Sequence, residues 1–135
     1  MNVRGFVMTE ILVALLVLAV AVTGTLALAA GAFVSTAEAR RAELAAGLAS
    51  DLAGRMRALP GVDWTVLPAP GACGSACTPE QLAALEFADW RGAVSGALPA
   101  GTGSLEPGDA GALVLQLGWQ EAGGARRELR LGIGR

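Results

Sequence analysis

Apolar residues crowd the N-terminal part of the chain, and after Ala37 their spacing changes. No charged residue occurs from Ile11 to Ala37, and Thr23-Gly24-Thr25 and Gly31 are the main interruptions before Val34. A helix over Ile11 to Val34 would be roughly 36 Å long, enough to cross a bilayer core. From Ser35 to Leu59 the pattern becomes amphipathic. Leu44, Leu48, Leu52, Met56 and Leu59 recur at spacings of three or four, while Glu38, Arg40, Arg41, Glu43, Asp51, Arg55 and Arg57 occupy the other faces. This predicts one continuous helix, lipid-soluble in its first half and packed on a folded domain in its second. Pro60-Gly61 stops it, because a residue without an amide donor precedes a flexible one.

Turn signals divide the chain beyond Gly61. Gly61 to Ala76 reads as a loop rich in Pro, Gly and Ala that carries Trp64 and Cys73. Thr78-Pro79-Glu80-Gln81 is a capping box with Pro at the first helical position, so a second helix starts there and runs to Pro99-Ala100-Gly101. Leu113, Leu115, Leu117 and Trp119 alternate with polar or smaller residues, and Leu129, Leu131 and Ile133 do the same. Period two predicts two strands, joined by a hairpin across Glu121 to Ala125, with their apolar face against the amphipathic half of the first helix. A third strand is expected around Gly103 to Leu105. The fold class is therefore α+β, a long N-terminal helix on a small antiparallel sheet.

Composition narrows the chemistry. At 135 residues, with a net charge of −2 and no His, the chain lacks the commonest general base and metal ligand. All the basic residues are Arg, they are scattered, and aromatics are few, so no nucleic-acid footprint is expected. Cys73 and Cys77 are too few for a tetrahedral zinc site without other ligands. Gly101-Thr102-Gly103 lacks the strand-then-helix context of a phosphate loop. We expect no enzyme, no cofactor and no metal.

Glu10 stands at the head of the apolar run, where a carboxylate in a membrane helix costs about 2.5–3.5 kcal/mol. It either snorkels into water at the headgroup boundary or has a partner. Three readings of the segment are open. It is an ordinary anchor; or a cleaved secretory signal, with Ala27-Leu28-Ala29 as the small-x-small site; or a specialised signal around Gly5-Phe6. Against the second, the apolar region is long and the preceding basic region carries only Arg4 and the amine.

The third reading explains the most residues. Gly5-Phe6-Val7-Met8-Thr9-Glu10, with the apolar run after it, closely resembles the class III signal of type IV prepilins and type II secretion pseudopilins. The resemblance implies cleavage by a prepilin peptidase between Gly5 and Phe6, N-methylation of Phe6, and Glu10 at the fifth position of the mature chain. The new α-amine would be mostly cationic at neutral pH and lie one helical turn from Glu10, within one chain or across neighbouring ones. In that family this pairing is thought to set the stagger between subunits. The helix lacks the proline found midway in many major pilins, which fits a minor pilin or pseudopilin better.

The run Leu48-Ala49-Ser50-Asp51-Leu52-Ala53-Gly54-Arg55-Met56-Arg57-Ala58 is similar to a segment of PilV-type minor pilins, and so is Ala88-Asp89-Trp90-Arg91 with the Pro99-to-Gly103 exit. The likeness is good over the N-terminal half, moderate in this central patch and weak after Ser104. It implies a leader over 1–5, a transmembrane assembly helix over 6–34, an amphipathic continuation over 35–59 and a periplasmic head over 60–135 in a lollipop arrangement. It further implies an inner-membrane, single-pass subunit that later joins a pilus fibre. Its partners would be the prepilin peptidase, other minor and major pilins and the assembly platform. Its role would be to initiate pilus assembly or to sit near the fibre tip. A type II secretion pseudopilin, or a secreted binding domain with an ordinary signal peptide, are the alternatives. In an oxidising periplasm Cys73 and Cys77 would form a disulfide; elsewhere they would be free thiols.

Overall fold

The computed structural model describes residues 4–71, 73–74 and 76–134, with the side chains of these apart from 4–7 and 110. Helix α1 runs from Arg4 to Ala58 without a break. It begins in one unit, which ends at Ala39, and finishes in a second, which begins at Arg40.

In the first unit every described side chain from Met8 to Thr36 is exposed. Among the described residues, one helix is long and apolar enough to cross a membrane. Four hydroxyls within or just beyond the apolar run stay inside the helix. Thr23 Oγ1 donates to the carbonyls of Ala19 and Val20 at 3.0 Å, and Thr25 Oγ1 to that of Val22 at 2.9 Å. Ser35 and Thr36 both donate to the Ala32 carbonyl, at 3.0 and 2.8 Å. Each polar group is satisfied by its own backbone, which lowers the penalty for placing it in lipid.

The second unit is built on the last turns of α1. Its buried stripe is Ala45, Ala49, Leu52, Ala53 and Met56. The expected stripe is therefore rotated: Leu52 and Met56 are in the core and Leu48 is half-buried, but Leu44 is 51% exposed. The reason is close approach. Alanines at 45 and 49 let neighbouring groups come near the helix, and the Trp90 indole N–H donates to the Leu48 carbonyl at 2.8 Å. A leucine row there would hold Trp90 too far away.

Helix α2, Pro79–Ala97, starts as the capping box requires. The Gln81 N–H donates to Thr78 Oγ1 at 3.3 Å, and the Thr78 N–H to Gln81 Oε1 at 3.0 Å. Ala83, Ala84, Trp90 and Val94 face the core. The helix ends where the Leu98 N–H donates to the Val94 carbonyl at 3.1 Å, just before Pro99.

The sheet has three antiparallel strands in the order β1-β2-β3: β1 Thr102–Pro107, β2 Leu113–Gln120 and β3 Arg126–Ile133. The expected third strand is thus present and longer than the pattern suggested, while the short 3-10 turn Asp109–Gly111 had no sequence signal. Leu115 pairs with Leu105 on one side and Leu131 on the other. Leu113, Leu115, Leu117 and Trp119 are all buried and join Leu52, Met56, Trp90, Val94 and Leu98 in one core. The β2–β3 hairpin closes across Glu121 to Ala125, where the Glu121 N–H donates to the Ala125 carbonyl at 2.8 Å and Gly124 takes φ +81°. A positive φ is what a glycine there permits.

Gly103 has a packing reason to be glycine. A Cβ at that position would lie 2.4 Å from the Trp90 ring. Gly103→Ala is expected to lower stability by about 1–3 kcal/mol through overpacking. Thermal unfolding of the detergent-solubilised chain measures it, and an unchanged midpoint would contradict the packing account.

Candidate functional site

Two places carry chemistry. The first is Glu10, an exposed residue of α1 among exposed apolar neighbours. Among the described residues it has no hydrogen-bond or ion-pair partner. Thr9 beside it is already engaged, and the hydroxyls farther along are satisfied by their own helix. From Met8 to Ala37 the acid is thus the one charged group in a stretch that otherwise presents hydrocarbon and engaged alcohols. Gly5 and Phe6 fall in the first turn of α1, with their side chains outside the described residues. Met1, Asn2 and Val3 of the expected leader also lie outside them. What such a helix can do is pair its carboxylate laterally with a cation at the same depth.

The second place ties the start of the second unit to the sheet, and nothing in the sequence pattern pointed to it. Glu121 is buried at the head of the hairpin. Its Oε1 accepts from the Trp119 indole N–H at 2.8 Å, and its Oε2 accepts from Arg41 Nη1 at 2.5 Å. The Trp119 hydrogen bond, with the Arg41 guanidinium, holds this carboxyl below its usual range against the opposing effect of burial. Arg41 read as one of several charges on a polar helix face, and Glu121 as a turn residue. Eighty positions separate them, and no local periodicity links residues so far apart.

The lowered value sets the sign of the pH effect. A carboxylate whose pKa is depressed in the folded state contributes its full stabilisation above the unfolded pKa, about 4.3, and loses it as pH falls through the folded value. Glu121→Gln should therefore unfold with a flatter acid limb than the parent chain below about pH 4. Equal slopes for the two proteins in acid titrations would rule out this contribution.

A second ion cluster joins the two helices. Arg55 bonds Asp51 at 3.0 Å and also reaches Glu86 of α2, and both contacts push the guanidinium pKa further up. Arg55 and Trp90 thus link α1 to α2, while exposed Asp51 bonds Arg55 within α1.

Cys73 and Cys77 are joined in a disulfide with a Cα–Cα distance of 5.2 Å. Cys77 directly precedes the α2 cap at Thr78, so the bridge fixes the chain as it enters the capping box. Closing so small a loop stabilises by about 2 kcal/mol on chain-entropy grounds. Reduction is expected to lower the unfolding midpoint modestly and to add two alkylation masses to the intact chain. Alkylation without prior reduction would show the thiols free. Among the described residues no group of His, Cys, Asp or Glu is arranged to hold a metal ion.

No protein-family model matches this chain, and no curated protein or solved structure matches it significantly.

Proposed function

We propose that the chain is a minor pilin of a type IV pilus, made as an inner-membrane prepilin and processed between Gly5 and Phe6. One observation carries the reading: a carboxylate at Glu10 that has no partner among the described residues, in a lipid-soluble helix, four residues after Phe6 of the Gly-Phe junction. Cleavage there frees an amine that is mostly cationic at neutral pH, one helical turn from the acid. In a bundle of such helices, the amine of one subunit neutralises the Glu10 of the next, and the two charges fix the axial offset between subunits. N-methylation of Phe6 keeps the positive charge. The subunit performs no bond chemistry of its own. It acts by packing with other pilins, as a priming or tip subunit delivered by the prepilin peptidase and the assembly platform.

The α+β head, in which a long helix carries a three-stranded antiparallel sheet, agrees with this reading. The Asp51-to-Ala58 and Ala88-to-Arg91 segments favour a pilus subunit over a secretion pseudopilin. Neighbouring genes for pilins, as opposed to secretion components, would distinguish the two. N-terminal sequencing of the membrane-extracted protein tests the whole proposal. A mature chain beginning at methylated Phe6 is expected. A chain beginning at Met1, or near Ala30 after an ordinary signal cut, would overturn it.

A further inference from the structure

We draw no further inference here: the strongest candidate, the outer edge of β3 with the cavity at its Ile133 end, lined in part by Met56, Arg57, Asp63, Trp64 and Leu113, carries nothing because nothing in the structure shows what covers it.

Discussion

Trp90→Ala is expected to destabilise the head by about 3–5 kcal/mol, the range for removing a buried large aromatic. Trp90 is 1% exposed and meets three neighbours at once. Its indole N–H bonds the Leu48 carbonyl of α1 at 2.8 Å, its ring stacks on Phe87 at 5.7 Å, and its far edge closes against Gly103 of β1. Truncation therefore opens a cavity where α1, α2 and the sheet converge. For a domain of this size each kcal/mol moves the melting midpoint by roughly 4–8 °C, so the variant should melt well over 10 °C below the parent. Trp90→Phe separates the contributions. It keeps most of the ring volume but loses the N–H, and should cost about 1 kcal/mol for the hydrogen bond plus whatever gap the smaller ring leaves. Near-UV circular dichroism of the solubilised chain reports both. A midpoint for Trp90→Ala within a few degrees of the parent would show that the three elements are held together by something else.

The second large effect concerns assembly and follows from the proposed minor-pilin reading. Glu10→Val removes the one acid of the Met8-to-Ala37 stretch while improving its fit to lipid. Cleavage at Gly5-Phe6 should continue, because the junction is intact, and the variant should accumulate in the membrane at normal levels. Its incorporation into fibres should fall by something on the order of 100-fold. That is the factor implied by about 2.5–3.5 kcal/mol of electrostatic preference, at 1.4 kcal/mol per tenfold. Quantifying the chain in sheared fibres against the membrane fraction measures this, with Thr9→Val as a control at the same depth. Normal incorporation of Glu10→Val would discard lateral charge pairing as the mechanism. Glu10→Asp is the finer probe, since it keeps the charge on a shorter arm and should lie between the two.

Much of the architecture was legible because it rests on local rules. The Thr78-to-Gln81 box specified the start of α2, and the Leu113-to-Trp119 alternation specified a strand with one buried face. Both signals are short-range, since a cap and a pleat are decided by residues two to four positions apart. The α1 stripe was readable in kind but displaced in phase. Leucine spacing announced an amphipathic helix, yet the buried line runs through Ala45 and Ala49, whose small size matters only once Trp90 is known to approach. The strand β1 gave a faint signal because Gly103 and Pro107 dilute its propensity, and its place is set by pairing with β2. The Arg41–Glu121 bond was invisible for a different reason, since a contact between distant positions is a property of the folded chain alone.

Glu10 itself could be read from the sequence because it violates its surroundings. A charge among apolar residues needs no alignment to stand out, whereas a charge among charges, such as Arg57, gains interest only beside a cavity. An acid in an apolar run is therefore written in the linear pattern, whereas a cavity lining exists only after folding.

The alcohols of α1 have one more implication. Thr23, Thr25, Ser35 and Thr36 each turn inward onto their own backbone, so none has a hydroxyl hydrogen left to donate to a passing helix. Two such rods could slide lengthwise with little resistance until the acid of one meets a cation on the other. Displacement by a single turn, about 5.4 Å, would already separate them. On the proposed pilin reading the segment is a ruler bearing one graduation, and the spacing of a filament built from it would be read off that mark.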